Sequence, residues 1–166
     1  MNFLQETFTQ LEAAPDTTIL QELRDGEIFS VTASELLELV RKARSFLAAQ
    51  HLNKGDRCAL LANNAIRWVA MDLAIMAEGL IVVPLYARQA PPELVAMMKD
   101  CAPALICCGD AELRDGIGKT GVRLHLSLFS IRFLIDLEAL PQQWSWLILM
   151  LSPSFTPRVR PAKRKA

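Results

Sequence analysis

Between Gly55 and Tyr86 the chain reads GDRCALLANNAIRWVAMDLAIMAEGLIVVPLY, and no other stretch limits the possible folds as tightly. Arg57 to Ala62 is a short apolar run between Gly-Asp and Asn-Asn, which suits a strand buried on both faces. From Ala65 to Glu78, Ile66, Val69, Leu73, Ala74 and Ala77 fall on one helical face, while Trp68, Met71 and Ile75 make the other sides apolar too. A helix that is apolar around most of its circumference must be covered by other layers. Gly79 can close that helix in a left-handed conformation, after which Leu80 to Pro84 reads as a second buried strand. Strand, helix and strand at this length imply a right-handed parallel crossover.

The pattern repeats once. Pro91, Pro92 and Glu93 make a helix start, Leu94, Met97 and Met98 face inward, and Ala104 to Cys108 reads as a third buried strand. Upstream, Phe3, Leu4, Phe8 and Leu11 recur at helical spacing until Pro15. Thr17 to Leu23 and Glu27 to Val31 are rich in β-branched and apolar residues, with Arg24, Asp25 and Gly26 as the turn of a hairpin. Thr32 and Glu35 have capping-box spacing, so a helix is expected from Ala33, with Leu36, Val40, Ala43 and Leu47 as its apolar stripe. The expected fold is α/β: a mostly parallel sheet with flanking helices, plus an N-terminal hairpin. Past Asp110 the signals weaken. Val122, Leu124, Leu126 and Leu128 alternate with polar residues like a strand, but Phe129 to Leu140 has no clean period, and Pro141, Pro153, Pro157 and Pro161 punctuate the remaining residues.

The 166 residues hold 18 basic and 18 acidic side chains, so no global imbalance argues for nucleic acid or a membrane surface. The charge is unevenly placed: from Ser152 onward Arg158, Arg160, Lys163, Arg164 and Lys165 occur with no carboxylate. A solvated tail is the expected reading of that basic end, over phosphate binding. The start, MNFLQETFTQ, lacks the basic and apolar regions of a secretory signal, and a cytoplasmic protein is expected. Trp144 to Leu151 is far shorter than the roughly 20 residues of a membrane-spanning helix, so no span is expected. Cys58, Cys101, Cys107 and Cys108 show no CxxC spacing; with only His51 and His125 besides, no zinc pattern emerges, and the cysteines read as small core residues.

Several motifs invite a sharper reading. Gly118-Lys119-Thr120 resembles the end of a phosphate-binding loop, but Leu113 stands where the first glycine belongs, so a solvated turn is expected. Gly116, Gly118 and Gly121 satisfy GxGxxG, with Asp136 near the distance of a ribose-binding acid, yet no strand leads directly into them. No serine has the flanks of a nucleophile elbow. Asp72, on an apolar helix, reads as a cap or partner of Arg67 rather than a general base, and Trp68 and Tyr86 as core and edge aromatics.

Lys54-Gly55-Asp56-Arg57, Asn63-Asn64, Trp68-Val69, Asp72-Leu73-Ala74, Gly79 and Val83-Pro84-Leu85-Tyr86 together resemble the N-terminal part of adenylate-forming (AMP-binding) acyl-CoA synthetases, the long-chain fatty acid ligases above all. The hairpin, the helix to Gln50, Pro92-Glu93-Leu94 and Asp100-Cys101-Ala102-Pro103-Ala104 fit the same pattern. The resemblance covers residues 1–112; residues 113–166 are unassigned, with a truncated or out-of-frame tail as the expectation. It implies ATP-dependent activation of a fatty acid to an acyl-adenylate and transfer to coenzyme A, with ATP, Mg and coenzyme A as the family's cofactors. It also implies a Ser/Thr/Gly-rich phosphate loop ending in Pro-Lys-Gly, an adenine-site aromatic followed by Gly, Thr and Glu, and a lysine in a mobile C-terminal domain. None of these can be placed on this sequence. No catalytic, cofactor-binding or metal residue is therefore carried over, no cofactor is expected for this chain alone, and an inactive remnant of a long-chain fatty acid–CoA ligase is expected. The alternative is a noncatalytic binding module that uses exposed apolar surface or the basic tail.

Overall fold

The computed structural model describes residues 2–120 and the backbone of 128–130, all within one of the chain's two units, Met1–Leu134. Helix α1 (Phe3–Ala13) precedes a hairpin of β1 (Thr18–Arg24) and β2 (Glu27–Thr32), and α2 (Ala33–Ala48) comes next. Then come β3 (Arg57–Leu61), α3 (Ile66–Ala77), β4 (Ile81–Leu85), α4 (Pro91–Cys101), β5 (Leu105–Cys108), α5 (Ala111–Gly118) and the three-residue β6 (Leu128–Ser130). The last four strands form a parallel sheet in the order β4-β3-β5-β6.

The local signals explain most of these elements. Asp25 and Gly26 both have positive φ, 52° and 84°, which is the mirror-image turn whose twist matches that of its flanking strands. It sets the antiparallel register in which Leu23 faces Ile28 and Gln21 faces Ser30. Thr32 and Glu35 close the capping box that starts α2: the Thr32 hydroxyl accepts from the Glu35 amide, and the Glu35 carboxylate accepts from the Thr32 amide at 2.8 Å. Gly79, with φ 73°, ends the turn after α3.

The sheet's period-two alternation sorts its side chains into two cores. Cys58 and Leu60 of β3, with Leu105 and Cys107 of β5, meet α2 and α3, which contribute Leu36, Val40, Ala43, Leu47, Met71 and Ile75. Ala59 and Leu61, with Leu85, Ile106 and Cys108, meet Leu94, Val95 and Met98 of α4 and Ile117 of α5. No residue of α3 is exposed, as an all-round apolar helix requires. Cys58, Cys107 and Cys108 are buried free thiols, as the sequence suggests, while Cys101 is half-buried.

One segment past Asp110 is more regular than its sequence suggests. Ala111–Gly118, where the sequence signals are weak, is a helix begun by Asp110, whose carboxylate accepts from the Leu113 amide at 2.8 Å, and Lys119 and Thr120 form the turn that follows it. Gly116 and Gly118 disguise it, since each lowers helix propensity by about 1 kcal/mol. Of the expected strand from Val122 to Leu128, only Leu128 falls among the described residues, where it begins β6. Gly121, His125, Asp136, Trp144 to Leu151 and the basic end lie outside the described residues. No described helix is long and apolar enough to cross a membrane.

Candidate functional site

Strand β3 leads to α3 on one face of the sheet, whereas its neighbours β4 and β5 lead to α4 and α5 on the other. Connections that diverge from adjacent parallel strands leave a crevice beyond the strands' carboxyl ends, the usual place for a ligand in an open α/β sheet. A cleft of about 1000 Å³ occupies that position. Its apolar floor is Ala62, Leu85, Leu94 and Ile117; Asn63, Asn64 and Trp68 come from the β3–α3 side, Tyr86, Arg88 and Gln89 from the β4–α4 loop, and Asp110 and Glu112 from the start of α5. Backbones approach closely here. Gly109 donates its amide to the Leu61 carbonyl at 2.8 Å, and a Cβ on Gly109 would lie 2.6 Å from that of Ala62, so this position admits no side chain.

Three helix N-termini meet at this end of the sheet, and in many α/β proteins such termini bind phosphate. In each, a group of the chain itself occupies part of that start. Helix α3 has Ala65 at its N-cap, with no capping side chain of its own; instead Glu22, 44 positions upstream on β1, accepts the Ile66 amide at 2.6 Å. Helix α4 starts with Pro91 and Pro92, which have no N–H to offer, and the Glu93 and Leu94 amides turn back to the Ala90 carbonyl. Helix α5 is capped by Asp110. Arg88 is thus the basic side chain of a cleft whose other chemistry is amide, aromatic and carboxylate.

Gly118-Lys119-Thr120 ends a helix instead of opening one: the Lys119 amide donates to Asp115 and the Thr120 amide to Ile117, so these amides cannot cradle a phosphate. Gly116 and Gly118 lie inside α5, which removes the loop that GxGxxG requires. Asp72 stands in mid-helix rather than near the start, so the expected cap is corrected: the carboxylate at the start of α3 is Glu22. Burial alone pushes the Asp72 carboxyl upward. Trp68 packs against the core as expected and also lines the cleft, where Tyr86 is 63% exposed. Both aromatics therefore border the space a ligand would enter. Burial pushes the Cys58 and Cys108 thiols up to about 11, and Cys107 further, so none is a thiolate nucleophile near neutral pH. No group of three metal-ligating side chains occurs among the described residues.

Sequence reasoning missed Glu22. Its only local sign is Ala65, a poor capping residue at the head of an apolar helix, which leaves amides to be satisfied from elsewhere.

The cleft can hold an apolar or uncharged polar group against Trp68 and Tyr86, with hydrogen bonds from Asn63, Asn64 or Gln89, but it brings together no nucleophile and base. Comparison with known proteins adds the lineage. The family model described as AMP-binding enzyme matches residues 7–146, running past Glu112 where the legible likeness ends. The long-chain-fatty-acid–CoA ligase FadD15 of Mycobacterium bovis is 30% identical over 86 residues, which are 52% of this chain and 14% of that ligase. Among solved structures, VinN superposes with a TM-score of 0.70 at 20% identity, covering 80% of this chain and 34% of VinN. The N-terminal domain of FACL13 from Mycobacterium tuberculosis does so with 0.67 at 20% identity, covering 78% and 34%. These likenesses show a shared fold.

Proposed function

Because the chain belongs to the AMP-binding enzyme family, we propose that it supplies the N-terminal scaffold of a long-chain fatty acid–CoA ligase and does not activate a carboxylate by itself. The family match over residues 7–146 carries the ligase part of this reading, and the 30% identity to a ligase named for long-chain fatty acids points to the substrate class. The geometry supports the scaffold role. Glu22 and Asp110 each put a carboxylate on one amide at the starts of α3 and α5, and α4 begins with two prolines, so negative charge or missing donors stand where phosphates of ATP would dock. Phosphate handling then falls to a Ser/Thr/Gly-rich loop, a segment that the 166 residues do not contain. The chain's own contribution is the sheet, its two cores and the aromatic-bordered cleft beside which such a loop would work.

The test is enzymatic. The purified 166-residue chain, given ATP, magnesium, a long-chain fatty acid and coenzyme A, is expected to release pyrophosphate no faster than a blank. A chimera in which residues 1–118 replace the corresponding segment of FadD15 is expected to form acyl-CoA. Turnover by the chain alone, or a folded chimera without activity, would overturn the proposal.

A further inference from the structure

The lip of the cleft on the α3 side is the loop Asn63-Asn64-Ala65, with Trp68 within one turn of helix beyond it. Nothing in that loop satisfies the first amide of α3; Glu22 does, from the hairpin, at 2.6 Å. The carboxylate is itself held on several sides. Arg24, two residues along β1, forms an ion pair and hydrogen bond with it, and the Arg24 guanidinium also lies 4.6 Å over the Phe29 ring across the hairpin. Arg67, in the first turn of α3, adds positive charge nearby.

We propose that Glu22 is a positioning residue of the cleft: its carboxylate fills the anion-favouring start of α3, clasps the hairpin to the β3–α3 loop, and so fixes the two asparagines and Trp68 at the lip. Two physical facts make the clasp matter. A two-stranded hairpin is marginal without something to dock on, and here β1 reaches the body through Ile19, Leu20 and Glu22. A helix start without a cap leaves amides unpaired and frays, and here the fraying end would be the rim of the candidate site. The clasp therefore couples two regions distant in sequence, and whatever displaces the hairpin loosens the lip. This role is independent of which reaction the cleft serves.

Amide hydrogen exchange on the full 166-residue chain tests it, with Glu22→Ala, Glu22→Gln and, as a control that removes a cap elsewhere, Thr32→Ala. Glu22→Ala is expected to speed exchange at Ile66 and at the hairpin's cross-strand amides about fivefold, with β3 and β5 unchanged. Glu22→Gln, whose amide oxygen still accepts from Ile66, should recover most of the protection. Thr32→Ala should leave Ile66 as it was. In a background carrying Trp144→Phe and Trp146→Phe, the remaining Trp68 emission should shift to the red in Glu22→Ala and not in Thr32→Ala. If Ile66 protection survives Glu22→Ala, or if exchange rises equally across β3 and β5, Glu22 does not position the lip. Should Glu22→Ala fail to fold, the Gln variant decides alone: Ile66 protected with Trp68 unshifted supports the clasp, whereas a Trp68 shift with Ile66 still protected, or loss of Ile66 protection with Trp68 unshifted, contradicts it.

Discussion

Helices α2 and α3 cover the same face of the sheet and pack into the same core, yet they begin in opposite ways. Helix α2 carries its own start: Thr32 and Glu35 satisfy each other's amides within four residues. Helix α3 borrows its start from a strand 44 residues away. A self-contained start can form as soon as its segment does, whereas a borrowed one exists only after the hairpin has docked. The difference places long-range dependence at the cleft and keeps it away from α2, which lines no part of it.

The comparison is sharpest where packing, not capping, is removed. Leu36 of α2 and Met71 of α3 are both almost fully buried in the same core, at 2% and 1% exposure. Truncating either to alanine is expected to cost about 2–5 kcal/mol, by lost transfer energy and the cavity left behind. Chemical unfolding should show similar losses for both. If Met71→Ala costs much less than Leu36→Ala, the borrowed cap rather than the core holds α3, and the account of α3 as a helix secured by burial fails.

A smaller effect separates the two starts themselves. Thr32→Ala removes the α2 cap and is expected to cost about 1 kcal/mol, and Glu22→Ala a similar amount. Because the two caps serve different helices, the double variant should equal the sum of the single ones within about 0.5 kcal/mol. A larger coupling in the measured cycle would mean that the hairpin, whose β2 ends at Thr32 and whose β1 carries Glu22, transmits one cap's loss to the other.

The same contrast explains which parts of the molecule sequence reasoning could reach. Strands β3, β4 and β5, the hairpin turn and α2 rest on local signals: apolar runs, Asp25-Gly26, and the Thr32–Glu35 pair. Each falls within about two residues of its expected bounds. Helix α5 was hidden because Gly116 and Gly118 read as loop, although Asp110 is an ordinary N-cap. The cleft was only half legible. Its position comes from strand order, which no local pattern encodes, and its lining aromatics, Trp68 and Tyr86, look the same in sequence whether they pack or face a ligand. Glu22 was out of reach, since a carboxylate in a hairpin resembles any solvated glutamate until the start of α3 is brought beside it.

The smallest prediction uses two carboxylates that α3 displaces in opposite directions. Burial pushes Glu22 up, but the Ile66 amide, Arg24 and Arg67 together outweigh it, and its pKa falls below the ordinary 4.5. The folded state thus binds that proton less tightly than the unfolded chain does. Glu22 therefore contributes stability that is fully present above about 4.5 and lost as pH falls through the lowered folded value. Asp72 is raised by burial alone from 3.8, so its charged form costs the fold stability near neutral pH, and the cost relaxes as pH falls through the raised folded value towards 3.8. Urea unfolding between neutral and acid pH should accordingly show Glu22→Gln less stable than the parent at neutral pH and level with it in acid. Asp72→Asn should be more stable at neutral pH, by about 0.5 kcal/mol or less, with the gain gone in acid. Two variants in one helix neighbourhood whose differences from the parent close from opposite sides would fix the sign of each carboxylate's contribution. Differences that close from the same side would mean that one of them, and with it the contrast between the clasped carboxylate of β1 and the unclasped one of α3, is wrongly placed.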